Sequence, residues 1–210
     1  MPIDRLPEPE TSLRTNSQEE LPSFSGRLVS YINQLLRVLT NNLERLDNLL
    51  NRKLNKEEFN SVAYFTDKKT AGTSGGSFVE GDWFTRVLNT EVYNTIEGCQ
   101  LNSNNTITLP RGTYVITGRA PAHRVDGHKT RLRDISNAIT LIQGSTAFSD
   151  DQPHNTQSDS FLNGVITLTT QTQLQLQHRC QSTKATDGLG VSVNLGEPEL
   201  YAEIKIHKVA

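Results

Sequence analysis

Three carboxylates in one polar stretch are the side chains of this sequence that could carry out acid–base chemistry. Asp150, Asp151 and Asp159 lie within SDDQPHNTQSD, and most enzymes that hydrolyse glycosidic bonds use a pair of carboxylic groups. Stretches of small polar residues are, however, more often solvated loops than active sites. The sequence contains no nucleophile elbow, metalloprotease motif, phosphate-binding loop or dinucleotide fingerprint. We therefore predict a protein that is not an enzyme and has no catalytic residue.

Residues that bind metals are present, but not at the spacing of a known site. Asp150 and Asp151 stand beside Ser and Asn oxygens, as in a calcium site, yet the EF-hand spacing is missing. Cys180 lies near His178 without a second close pair, whereas zinc needs a cluster of ligands. Cys180 and Cys99 could form a disulfide, but a chain made in the cytoplasm more often keeps such thiols reduced and buried. We expect no metal and no cofactor.

A basic stretch contrasts with the net charge of −2 of the whole chain. In an extended strand, Lys129, Arg131 and Arg133 fall on one face. One interpretation is a row that binds lipopolysaccharide phosphates or acidic capsule sugars, because guanidinium groups bind such anions with two hydrogen bonds. The other is a contact between subunits, or a solvated face paired with Glu and Asp. We favour the second, structural interpretation, with these residues as a candidate interface of the head. The charge near neutrality argues against a nucleic-acid-binding protein.

The element that would position such sites is a helix with a coiled-coil pattern over 25–55. Apolar residues follow one another at alternating spacings of three and four, which is the a/d pattern of a coiled coil. Leu35 and Leu49 widen this stripe, and a wide stripe suits three chains better than two. The alternative is an amphipathic helix packed on a globular domain. The predicted trimerisation residues are Val29, Ile32, Leu36, Leu39, Leu43, Leu46 and Leu50.

Residues 78–210 show short alternating segments separated by turn residues, which is typical of a β-sandwich. Trp83 is predicted to be a core or inter-chain anchor rather than a platform for sugars. The length suits a jelly roll. The predicted strands are Trp83–Leu88, Thr106–Leu109, Thr113–Ala120, Thr130–Ile135, Ala138–Gln143, Ser160–Thr170, Gln173–Cys180, Gly190–Leu195 and Leu200–Lys208.

Two segments are predicted to lack a packed core. Residues 1–24 contain four prolines among Glu, Ser, Asn and Gln, so we expect an extended tail, which could dock on a larger assembly. Residues 56–77 include TAGTSGGS and are predicted to be a flexible linker. No stretch is apolar enough for a transmembrane helix and no secretory signal is apparent. We expect no membrane insertion.

Four segments suggest a family. LPRGTYVITGRAPAHRV and HKTRLRDI, together with GVITLTTQTQLQLQHRC and ELYAEIKIHKV, resemble the heads of bacteriophage tail fibres with a tumour-necrosis-factor-like jelly roll. The resemblance implies a homotrimeric head that recognises a bacterial surface, and an N-terminal part that attaches the fibre to the virion.

The sequence as a whole therefore predicts a mainly β protein: a C-terminal jelly-roll head preceded by an N-terminal trimeric coiled coil. We expect a short phage fibre located in the virion. Its partners would be two further copies of itself, a tail or baseplate protein bound through 1–24, and a bacterial surface glycan such as polysaccharide or lipopolysaccharide. The alternatives are a purely structural virion spike or plug, a secreted or cell-surface signalling protein, and an enzymatic head. Candidate receptor contacts are Asp150, Asp151, His154, Asn155 and Arg124.

Overall fold

A computed structural model describes residues 24–59, 61–150 and 154–209, with the side chains of 54–59 left out. The chain divides into two units, Met1–Lys56 and Glu57–Ala210. The predicted docking tail lies outside the described residues except for Phe24, and so does Asp151, one of the predicted receptor contacts. No helix of the described part is long and apolar enough to cross a membrane.

The described part of the first unit is helical, and its helix, α1, spans Phe24–Phe59 and so ends three residues beyond the unit. After Gly26, no residue of the helix is Gly or Pro, and Leu, Arg and Asn dominate its sequence. Leu and Arg are among the strongest helix formers, and the absence of helix breakers lets the helix continue for many turns. The predicted N-terminal helix is confirmed.

The second unit, here called the head, consists of antiparallel strands in two sheets. The five-stranded sheet has the order β3-β1-β11-β6-β9. The six-stranded sheet has the order β4-β5-β10-β7-β8, with β2 paired to β10. The strands are β1 (Val62–Lys69), β2 (Phe84–Thr85), β3 (Thr90–Asn94), β4 (Gln100–Leu101), β5 (Ile107–Leu109), β6 (Gly112–His123), β7 (Asp126–Asp134), β8 (Ile139–Ser149), β9 (Gln157–Leu168), β10 (Thr172–Cys180) and β11 (Glu199–Lys208).

The strand order is that of a jelly roll. When the short strands β2, β3 and β4 are set aside, eight strands remain. In chain order, the first, eighth, third and sixth of them form one sheet, and the second, seventh, fourth and fifth form the other. This arrangement of crossing antiparallel connections defines a double-sheet jelly roll. The predicted jelly-roll head is therefore confirmed from its topology.

The core lies between the two sheets. Strands β7 and β9 alternate between buried and more exposed residues, as expected when one face of each strand points inward. The wholly buried apolar side chains include Phe65, Tyr114, Ile116, Leu132, Leu162, Leu174, Leu176 and Ile204.

Serine side chains join the two sheets at one edge. Strand β8 is an edge strand of the six-stranded sheet, and β9 is an edge strand of the five-stranded sheet. Ser145 Oγ on β8 accepts a hydrogen bond from the Phe161 amide on β9 at 2.8 Å. Ser160 Oγ donates to the Ser145 carbonyl at 2.6 Å, and Ser158 Oγ donates to the Phe148 carbonyl at 2.8 Å. Short hydroxyl groups thus satisfy backbone groups that a continuous sheet would pair.

The predicted linker over 56–77 is wrong, because it contains β1. This strand pairs with β3 on one side and β11 on the other, and it places Ala63 and Phe65 in the core. The TAGTSGGS segment is also held in place: the Gly75 amide donates to the Gly190 carbonyl at 2.8 Å, and Tyr201 Oη donates to the Thr73 carbonyl at 2.7 Å.

The predicted strand Gly190–Leu195 is also wrong. Its backbone is bound by side chains rather than by a neighbouring strand. Gln157 Oε1 accepts from the Val191 amide at 2.8 Å, and Glu199 Oε1 accepts from the Asn194 amide at 2.9 Å.

The interior also contains a polar cluster made of two imidazoles and a guanidinium group. His128 Nδ1 lies 2.9 Å from His178 Nε2, and His128 Nε2 lies 2.8 Å from Ser158 Oγ. Arg86 is wholly buried and donates to two backbone carbonyls. Burial, reinforced by the charge of Arg86, lowers the pKa of His128 to about 4 and the pKa of His178 well below its usual value. Both imidazoles are therefore neutral in the folded head near neutral pH.

The buried histidines predict a head that acid destabilises. Between pH of about 6.5 and about 4 the unfolded chain binds protons at His128 and the folded head does not, so the free energy of unfolding falls as the pH falls. For His128 the loss is on the order of 3 kcal/mol. Denaturant titrations at several pH values will measure it. His128→Gln should flatten this dependence, whereas His154→Gln, at an exposed site, should leave it unchanged. Equal slopes in the two variants would contradict the prediction.

Candidate functional site

The apolar stripe of α1 is exposed along its whole length in the single chain. The seven predicted trimerisation residues have exposed fractions between 44% (Ile32) and 65% (Leu43). Burying one such side chain stabilises a protein by about 1.5–3 kcal/mol. An isolated helix, by contrast, has only marginal stability in water. The stripe is thus a surface suited to pairing with other helices. That these helices belong to two further copies stays a prediction.

A second apolar surface lies on the outer side of the five-stranded sheet, here called the five-stranded face. Phe161 and Val165 on β9 are both more than half exposed. Tyr93 on β3 is also exposed and lies opposite Tyr64 on β1. Lys205 Nζ lies 4.7 Å from the centre of the Tyr64 ring. Aromatic and aliphatic groups of this kind are enriched at the centres of protein interfaces.

The charges of the five-stranded face neutralise one another. Glu203 accepts hydrogen bonds from Tyr64 Oη and from Arg119 Nε, the second at 2.6 Å. Arg119 also forms a salt bridge with Asp159 at 3.2 Å. Burial would raise the pKa of Glu203, but the hydrogen bonds from Tyr64 and Arg119 outweigh it and lower that pKa. Burial and the bond to Glu203 raise the pKa of Tyr64 to about 12. Because its charges are paired, covering this face with protein costs less electrostatic free energy than covering a face with unpaired charges.

The three cations predicted to share a face do so on the outer side of the six-stranded sheet. Lys129, Arg131 and Arg133 are half-buried and alternate along β7 with buried residues. Arg179 on β10, which sequence reasoning did not connect with them, lies directly opposite Lys129. Arg119, a nearby cation in the sequence, lies on β6 in the other sheet. A contact of Lys129, Arg131 and Arg133 with a neighbouring subunit stays one prediction, and binding of an anionic ligand stays the other.

Trp83 lies against this group of cations. The Arg131 guanidinium carbon is 4.0 Å from the centre of the Trp83 ring, a distance at which cation and aromatic face attract. Arg131 Nε also donates to Gln177 Oε1 at 2.8 Å. Trp83 is thus a partly exposed anchor for an arginine of its own chain, rather than a core residue.

Four of the predicted receptor contacts lie in two connections at one end of the sandwich. Arg124 connects β6 to β7, while Asp150, His154 and Asn155 lie between β8 and β9. The Arg124 amide donates to the Thr156 carbonyl at 3.1 Å, so the two connections touch. The strand pairings put this end opposite the one at which β1 begins. Their binding of a receptor stays a prediction.

The carboxylates and thiols that the sequence offered for catalysis or metal binding are either far apart in the fold or buried and unreactive. Asp159 is held by Arg119 on the five-stranded face and is not part of the loop that contains Asp150. Cys99 and Cys180 are free and buried, and burial raises the pKa of their thiols to about 12 and about 11. Both therefore stay protonated and unreactive near neutral pH. Among the described residues, no three His, Cys, Asp or Glu side chains gather as metal ligands would.

Comparisons with known proteins find similarity of structure alone. No protein-family model and no curated protein matches the chain. Among solved structures, murine APRIL at pH 5.0 has a TM-score of 0.43 and 12% identity, over 70% of this chain and 98% of its own. The globular domain of the zebrafish complement 1qA protein has a TM-score of 0.43 and 12% identity, over 71% and 98%. Eiger TNF from S. frugiperda has a TM-score of 0.46 and 16% identity, over 71% and 92%.

Polar substitutions in the stripe should weaken self-association. We expect the unchanged protein to have a mass in solution of three times 23.4 kDa, measured by analytical ultracentrifugation. The double variant Leu39→Asn, Leu43→Asn should dissociate at higher protein concentration, since each lost buried Leu costs about 2–5 kcal/mol per chain. The matched control, Arg37→Asn with Glu44→Asn, changes exposed residues beside the stripe and should keep the mass unchanged. A stable monomer of the unchanged chain would contradict the trimer.

Proposed function

We propose that the chain is a short fibre protein of a bacteriophage virion. In this proposal three chains associate through α1, residues 1–24 attach the fibre to a tail or baseplate protein, and the three heads bind glycan on the bacterial surface. The observation that carries the proposal is the uninterrupted apolar stripe of α1, exposed in the single chain and joined in sequence to a β-sandwich head.

Two further copies of the chain are the partners that suit the stripe best. Each copy presents the same a/d pattern, so identical helices in parallel match position by position. Leu49, 39% exposed, extends the stripe beyond a narrow two-helix contact. The five-stranded face, with its paired charges and exposed aromatic groups, offers the head a second self-contact.

Attachment is the role that best suits several copies of a head on one assembly. When one head binds a repeated surface glycan only weakly, neighbouring heads that bind the same surface increase the overall affinity of the assembly. The connections that contain Arg124 and His154 touch each other at one end of the head, which supports them as one contact surface. Tolerance of sequence change and binding functions both concentrate in such loops.

Cell binding by the full chain tests the proposal. Labelled protein should bind the bacteria that the virion infects and should slow adsorption of the virion. The double variant Leu39→Asn, Leu43→Asn should bind at least about tenfold more weakly, because it loses the gain from multiple heads. The control Arg37→Asn with Glu44→Asn should bind as the unchanged protein does. A protein of trimer mass that neither binds these cells nor slows adsorption would instead indicate a purely structural spike or plug.

A further inference from the structure

We propose that the outer side of the six-stranded sheet binds an anionic polysaccharide, a chain of hydroxyl-bearing sugars with carboxylate, sulfate or phosphate groups at regular intervals. The binding surface, here called the cationic face, consists of Lys129, Arg131 and Arg133 on β7 and Arg179 on β10. This inference deepens the proposed attachment function and rests on it, and it adds a surface distinct from the loops at the end of the head.

The spacing of the cations suits a linear ligand. Side chains two residues apart on a strand are separated by about 6.6 Å, so the row from Lys129 to Arg133 extends for about 13 Å. Arg179 widens one end of the row, because it faces Lys129 across the β10–β7 pair. Trp83, Lys129, Thr146, Arg179 and Gln181 help to line a shallow depression at that end, which is large enough for part of a sugar unit.

The two arginines of β7 lie between neutral polar neighbours. Arg131 lies between Gln177 on β10 and Gln143 on β8. Arg133 lies between Gln175 and Thr140 in the same way. Amide and hydroxyl groups both donate and accept, so they suit sugar hydroxyls beside an anionic group.

The charge of the cationic face is not neutralised by the residues that the structure describes. None of its four cations forms a salt bridge with a carboxylate of the described residues. Burial lowers the pKa of Arg131, and the positive charges of Arg133 and Arg179 lower it further. The guanidinium groups therefore repel one another. An anionic ligand would relieve this repulsion, whereas the five-stranded face already holds its own counter-charges.

The central arginine is held in place before any ligand arrives. Trp83 covers one side of the Arg131 guanidinium, and Gln177 Oε1 accepts from Arg131 Nε. Gln177 is fixed in turn, because its Nε2 donates to Gln175 Oε1 at 2.9 Å. A side chain that is already ordered loses less entropy when it binds.

A polysaccharide fits this surface better than a protein or a nucleic acid does. The residues paired with the row across β8 and β10 are all polar, whereas protein interfaces depend on apolar or aromatic groups at their centre. Proteins that bind single-stranded nucleic acid stack several bases on successive aromatic rings. The ring that stacks on the row is Trp83, and Arg131 already covers it.

Binding of dextran sulfate to the full-length protein tests the inference, with neutral dextran of the same length as the matched ligand. We expect the protein to bind dextran sulfate and not dextran, and binding should weaken from about 50 mM to about 500 mM salt. The double variant Arg133→Gln, Arg179→Gln should bind at least about tenfold more weakly. The matched control is Arg111→Gln, an exposed arginine between β5 and β6, and it should bind normally. Circular dichroism and thermal unfolding will verify that each variant is folded.

Three outcomes would overturn the inference. One is equal binding of dextran sulfate by all variants, which would place the contacts elsewhere. Another is equal binding of dextran, which would remove the role of charge. The third is tighter binding of single-stranded DNA, lost in the same double variant, which would indicate a nucleic-acid surface. Cell binding measured on the same double variant separates the two proposals: if the cationic face fails but cells are still bound, attachment stands and uses other contacts.

Discussion

The main physical constraint on the protein is the apolar stripe of α1, whose exposure to water is unfavourable unless another helix covers it. Its seven a/d residues are each at least 44% exposed in one chain, and a helix of this kind gains most of its stability from packing rather than from its own hydrogen bonds. The head has no such requirement, because its two sheets bury their inner faces against each other. Self-association is therefore expected of the helix, while the head is left with two outer faces that can serve different purposes.

Those two outer faces differ in whether their charged side chains are paired with opposite charges. On the five-stranded face, Glu203 lies between Arg119 and the Tyr64 hydroxyl, and Asp159 completes the set. On the cationic face, Arg131 is held by an aromatic ring and an amide, neither of which carries a counter-charge. Paired charges lower the cost of covering a surface with protein, whereas unpaired cations favour an anionic partner. The sandwich thus separates a surface suited to contact between copies from one suited to a ligand.

Local patterns were enough to predict α1 and most of the longer strands, because helix and strand periodicities are visible in short windows. They missed β1, since its partners are remote in sequence: Ala63 pairs with Ile206 on one side and Asn94 on the other. They also misread Gly190–Leu195, whose alternation resembles a strand but whose amides bind side chains. The shared face of Lys129, Arg131 and Arg133 followed from alternation alone. Arg179 and Gln177 could not be added to it, because cross-strand register is not encoded in any single segment.

The position of β11 between β1 and β6 has a consequence for how the protein is made. A ribosome releases α1 before the head, and the backbone hydrogen bonds of a helix join residues only four positions apart. The five-stranded sheet lacks its middle strand until residues 199–208 emerge, so a chain interrupted before Glu199 has neither of the two ladders that β11 completes. Folds dominated by such distant pairings form slowly. Helices can therefore meet while the heads behind them are still unfinished, and completion of the head becomes the late step of biogenesis.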